Sequence, residues 1–151
     1  MQLTHGGDWE GYRRKYGGMP LDFSANVSPL GMPDTVRQAA ADALADAWRY
    51  PDPLCRQLRD ALAAYHGVDA GQIVCGAGAA DLIFRLVLAR RPRRALVTAP
   101  TFAEYEQALA LAGCAVEHLT LREETGFVPG RDLLDAVRPG FDMVFLCEPN
   151  N

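Results

Sequence analysis

The residues best suited to chemistry lie within residues 72–81, QIVCGAGAAD, where an apolar run opens into a glycine-rich turn and then into a helical pattern. A helix beginning at Ala79 leaves its first backbone N–H groups without intrahelical acceptors and turns its positive dipole end toward the Gly76-Ala77-Gly78 turn. The amides of Ala79 and Ala80 could then hold a phosphate without any cationic side chain. Small residues such as Gly78 keep that approach open. Taken alone, the turn has a second reading, an ordinary strand-to-helix connection that uses glycine for its dihedrals. Other reactive side chains form no comparable group. Cys55, Cys75, Cys114 and Cys147 are widely spaced with no CxxC and read as buried thiols, and His5, His66 and His118 are scattered, so no metal site is expected.

The elements that must position the turn follow from periodicity. Ile73, Val74 and Cys75 suit a buried strand, and Leu82, Ile83, Leu86 and Val87 recur on one helix face. Upstream, residues 1–30 form an arm with no clear period. Pro33 and Asp34 start a helix that ends near Trp48, and Tyr50-Pro51-Asp52-Pro53 forces a loop. A further helix stripe runs from Leu54 to Tyr65 with Gly67 as its stop. Downstream, strands are expected at 95–98, 115–121 and 143–147, and helices from about Ala103 and over 132–137. This alternation of apolar strands and helices predicts an α/β fold with a mostly parallel sheet covered on both faces. Ligands in such sheets sit at the carboxyl ends of the strands, so 76–80, 100–105 and 148–151 could converge.

Composition narrows the partners. The chain has 151 residues with 49% hydrophobic and 23% charged side chains, ordinary for a globular domain, and its net charge of −4 argues against nucleic acid. No run of about 18 apolar residues occurs and Asp8 and Glu10 interrupt the N-terminus, which predicts no membrane partner and a cytoplasmic protein.

Five ordered motifs give the chain a family likeness: His5-Gly6-Gly7 with Leu21-Asp22-Phe23-Ser24-Ala25-Asn26 and Pro29-Leu30-Gly31; Arg49-Tyr50-Pro51-Asp52; the Gly76-Ala77-Gly78 turn; Pro100-Thr101-Phe102-Ala103-Glu104-Tyr105; and Pro149-Asn150-Asn151. On these the chain resembles the N-terminal part of the fold-type I, pyridoxal 5'-phosphate (PLP) enzymes of the histidinol-phosphate aminotransferase branch. Within that branch it is most similar to the threonine-phosphate decarboxylases of cobalamin biosynthesis. The resemblance implies an N-terminal arm over 1–32, associated with the small-domain region, and part of a three-layer PLP-binding large domain over 33–151. It implies that Gly78, Ala79 and Ala80 hold the cofactor phosphate, that Phe102 lies against the pyridine ring, and that Asn151 donates to the phenolic oxygen. Tyr50 would reach the partner's cofactor phosphate in a homodimer, while His5 and Asn26 would contact a small phosphorylated amino-acid substrate.

Two positions depart from the family pattern. Ala77, Ala79 and Ala80 stand where polar residues are usual, which keeps the backbone donors and loses the side-chain ones, and Val27-Ser28-Pro29 replaces a typical Asn-Pro. No catalytic residue is expected in this chain. The Schiff-base lysine and the acidic partner of the pyridine nitrogen would lie downstream, and the only lysine, Lys15, sits in the arm. The chain is therefore expected to be an N-terminal fragment, inactive alone, of a decarboxylase acting on threonine phosphate, with histidinol-phosphate transamination as the alternative. A non-catalytic ligand-sensing module is a reading of another class. It would need a basic helix-turn-helix segment upstream, for which the positions before His5 are expected to leave no room. A generic nucleotide-binding domain would need a full GxGxxG or GxxxxGK[ST] motif, which is absent.

Overall fold

The computed structural model describes residues 6–137 and 139–150, so His5 and Asn151 lie outside the described residues. The chain divides into two compact units, Met1–Leu54 and Cys55–Asn151.

The first unit contains a helix the sequence reading missed. α1 (Trp9–Tyr16) starts where Asp8 accepts from the Gly11 N–H, carries Glu10 in its first turn and Arg13, Arg14 and Lys15 in its last, and stops at Gly17, whose φ of 77° is a left-handed cap. The arm is thus not without period; the helix is too short and too polar to show an apolar stripe. α2 (Asp34–Ala43) begins at Pro33 as expected and tightens into a 3-10 turn, Leu44–Asp46.

The second unit holds the sheet. α3 (Arg56–His66) ends at Gly67, with φ of 67°, and α4 (Gly78–Arg90) follows an extended stretch. β1 (Arg94–Ala99), α5 (Ala103–Leu111), β2 (Ala115–Thr120), α6 (Arg131–Ala136) and β3 (Met143–Phe145) complete it. The three strands lie in the order β2-β1-β3 and all pairs are parallel, with Ala95 opposite both Val116 and Met143. Buried Val97, Ala108 and Leu109 form the core with Val87 of α4, and Ile83, Phe84 and Tyr105 pack against it. The four middle residues of the central strand, Ala95, Leu96, Val97 and Thr98, are accordingly all buried, as a strand covered on both faces requires.

Three expectations are corrected. Residues 73–75 are extended but make no strand ladder, because no described segment pairs with them, and Val74 is 66% exposed. β3 ends at Phe145, leaving Leu146 and Cys147 outside the sheet. Only Cys114 is a buried thiol; Cys55, Cys75 and Cys147 are partly exposed free cysteines, since the loop, the unpaired segment and the strand tail that carry them are not enclosed.

At the opposite end of β1 from the expected site, Asp142 gathers the backbone N–H groups of Arg93 (2.7 Å) and Arg94 (3.2 Å), which hold its carboxyl below the usual range. Arg94 pairs with Glu117 across to β2 and lies over the Phe141 ring at 4.7 Å. These ties fix where β1 and β3 begin, and hence where they end.

Candidate active site

The turn before α4 is closed by side chains that the sequence reading did not single out. Asp81, in the first turn of α4, reaches back so that its Oδ2 accepts from the Ala77 N–H at 3.0 Å. Arg85, one turn on, donates from Nη1 to the Cys75 carbonyl at 3.0 Å and lies 3.5 Å from the same Asp81 oxygen. A side chain at Gly76 would force Asp81 and Leu82 to shift, because a Cβ would stand 2.5 Å from Asp81 Oδ2 and 2.7 Å from Leu82 Cδ2. Gly78 is required for another reason. Its φ of 89° is left-handed, and the space where a side chain would project is open.

The helix starts at Gly78 rather than Ala79. Gly78, Ala79 and Ala80 occupy its first three positions, where an N–H has no intrahelical acceptor, and among the described residues no side chain caps them. With Ala77 already bonded, three consecutive amides remain at the positive end of a thirteen-residue helix. A phosphate fits this set: donors are present, the approach is unobstructed at Gly78, and no side-chain acceptor competes.

At the carboxyl ends of the strands, the β1 and β3 tails are joined by Asn150, whose Nδ2 donates to the Pro100 carbonyl at 2.8 Å. Phe102 caps α5 and stands perpendicular to Tyr105, ring centroids 5.7 Å apart; Tyr105 in turn stacks on Phe145 at 4.6 Å. Burial pushes the Tyr105 phenol up, helped by its hydrogen bond with Cys147. A cavity of about 440 Å³ opens beside these tails, lined by Thr101, Phe127, Glu148 and Asn150 among others, and the buried Thr101 hydroxyl has no hydrogen-bond partner among the described residues. Neither Ala79 nor Ala80 lines it.

In the first unit, Asn26 is exposed, and Tyr50 is fully exposed. The arm is folded back on itself, with the Gly7 N–H donating to Ser24 Oγ at 2.9 Å, Trp9 Nε1 to Asp22, and Ser24 to Asp22 through both its N–H and its hydroxyl. Those donors hold the Asp22 carboxyl below its ordinary value, Ser24 contributing most. Gly6 lies so close to the Ser24 carbonyl that no Cβ could be accommodated.

Comparison with known proteins gives a consistent result. Residues 19–151 match the family described as aminotransferase class I and II. The threonine-phosphate decarboxylase of Salmonella typhimurium is 45% identical over 131 residues, which are 87% of this chain and 36% of that protein. The histidinol-phosphate aminotransferase of Shouchella clausii is 31% identical over 94% of this chain and 39% of its own length. Among solved structures, the histidinol-phosphate aminotransferase of Sinorhizobium meliloti in complex with pyridoxal-5'-phosphate superposes with a TM-score of 0.81 at 23% identity, covering 99% of this chain and 41% of that one. The fold is therefore that of part of a PLP-enzyme large domain, and the chain spans only 36% to 41% of the length of these relatives.

Proposed function

The chain belongs to the class I and II aminotransferase family, and from that premise we propose that it is the N-terminal part of a PLP-dependent L-threonine O-3-phosphate decarboxylase. One observation carries this reading: 45% identity with a threonine-phosphate decarboxylase across 87% of the chain. In this reading Gly78, Ala79 and Ala80 hold the cofactor phosphate by their backbone N–H groups. Phe102 lies against the cofactor ring and Asn151 donates to its phenolic oxygen. When bound, the cofactor supplies a protonated pyridine ring able to accept the electron pair left by a broken bond at the substrate α-carbon.

The rest of the work is positioning. The arm, with His5 and Asn26, closes on the substrate carboxylate or phosphate, and the Asp22–Ser24–Trp9 contacts fix the shape of the segment that leads into Asn26. Tyr50 reaches the cofactor phosphate of a second subunit, so the protein acts as a homodimer, with 1–32 as arm and 33–151 as the start of the large domain. The lysine and the acid that complete the site are supplied by sequence beyond this chain. A cytoplasmic location accords with the described helices, none of which is long and apolar enough to cross a membrane.

Transamination of histidinol phosphate is the second reading, favoured by the 31% identity with a histidinol-phosphate aminotransferase over 94% of the chain. Incubating the full-length protein and PLP with L-threonine O-3-phosphate should release carbon dioxide and leave a phosphorylated amino alcohol. Transfer of nitrogen from histidinol phosphate to a 2-oxo acid, with no carbon dioxide released, would replace the first reading by the second. Neither reaction would remove both.

A further inference from the structure

We infer that Asp81 and Arg85 are positioning residues that define the phosphate cradle, Asp81 by tying down the turn and Arg85 by cancelling the charge this brings near the anion. The inference rests on the cofactor reading above and goes beyond it. An acidic side chain in the first turn of a helix suits the helix dipole but opposes an anion bound at the same end. Asp81 stands in that position, and its Oδ2 accepts from the Ala77 N–H, which shapes the turn and removes one amide from the anion-binding set. The remaining charge would lower affinity for a phosphate a few ångströms away.

Arg85 answers both needs from one atom. Its Nη1 lies 3.5 Å from Asp81 Oδ2 and donates to the Cys75 carbonyl at 3.0 Å, binding the segment on the far side of Gly76 to the second turn of α4. The absent Cβ of Gly76 leaves the room that the Asp81 carboxylate uses. Cys75, Gly76 and Ala77 are thus fixed by two side chains of the helix they introduce. That leaves Gly78, Ala79 and Ala80 as the donors, compensating for the side-chain donors that alanines at 77, 79 and 80 do not provide. Arg85 is 57% exposed at its side chain and Asp81 37%, so each can be changed with modest effect on the core.

The test compares PLP with pyridoxal, which lacks the phosphate, binding to the full-length apoprotein by equilibrium dialysis. Arg85→Gln leaves Asp81 uncompensated and should weaken PLP by about tenfold while changing pyridoxal less than about twofold. Adding Asp81→Asn, which keeps an oxygen for Ala77 and removes the charge, should recover most of that loss. Arg85→Lys, which keeps the charge, should hold PLP within about threefold of the parent. Equal weakening of both ligands by Arg85→Gln, or a double variant no better than the single, would overturn the compensation. Should the unaltered protein bind pyridoxal as tightly as PLP, the cradle does not hold the phosphate and the cofactor reading itself falls.

Discussion

The two units of this chain are held together by different forces. In the second, Val87, Ala95, Val97 and Leu109 are essentially excluded from solvent and the sheet is closed on both faces of β1. In the first, neither α1 nor α2 has a buried residue, and Leu21, Phe23, Leu30, Trp48 and Tyr50 are 78% exposed or more. What fixes the arm is polar: Asp22, Ser24, Gly7 and Trp9. One unit carries its own core, while the other carries a shape, with its apolar side chains displayed. The comparison teaches that a segment can be conformationally specified without being hydrophobically stabilised.

The largest effect that would sharpen this contrast is in the core. Leu109→Ala in this 151-residue chain should cost about 2–5 kcal/mol by removing a fully buried side chain, whereas Leu30→Ala, at 94% exposure in the same chain, should stay within about 0.5 kcal/mol. Chemical-denaturation midpoints for the two variants read the difference directly, and equal losses would break the comparison.

A middle-sized effect is expected at the turn. Gly76→Ala places a methyl against the Asp81 carboxylate and Leu82 and should cost about 1–3 kcal/mol. Gly18→Ala, in the arm and with open space around it, should be nearly neutral by the same measurement. Comparable costs at both positions would show that the turn is not tightly packed.

The smallest effect is a pH dependence in both units. Asp142 and Asp22 each ionise more readily folded than unfolded, through backbone donors in one case and Ser24 and Trp9 in the other. Each therefore contributes stability that is fully present above the ordinary carboxylate value near 3.9 and is lost as pH falls through the lowered folded value. Limited proteolysis across pH 5 to 2, with cleavage sites mapped by mass spectrometry, should show Asp142→Asn blunting the acid sensitivity around β1 and Asp22→Asn that of the arm. An unchanged cleavage profile in either variant would mean that its carboxylate does not tie the local structure.

Much of the second unit was legible because its apolar residues obey a period and its glycines fall at helix ends. Gly67 was identified as a stop, β1 and β2 were placed to within one residue, and the parallel arrangement followed from the alternation of elements. Residues 73–75 read as a strand because their composition fits one, but a strand also needs a neighbour to hydrogen-bond, and composition does not say whether the chain provides it. α1 was missed because its signals are caps and charges: Asp8, Glu10, the basic run 13–15 and Gly17. At the site, glycine spacing revealed the turn. The Asp81–Arg85 tie was visible only as an acid and an arginine four residues apart after a helix start, and the pattern omits that Asp81 bonds backward to Ala77.

The central position of β1 has a kinetic side. Its pairing with β2 brings Ala95 to Val116, while its pairing with β3 brings the same residue to Met143, more than twice as far along the chain. Closing a loop about twice as long costs roughly 0.6 kcal/mol more in chain entropy, and β3 contributes only a three-residue strand against six for β2. The β1–α5–β2 segment is thus the part of the sheet that closes with the smaller entropic loss for the larger return. The β3 pairing is the costlier closure of the two, and the Asn150 bond to Pro100 depends on it.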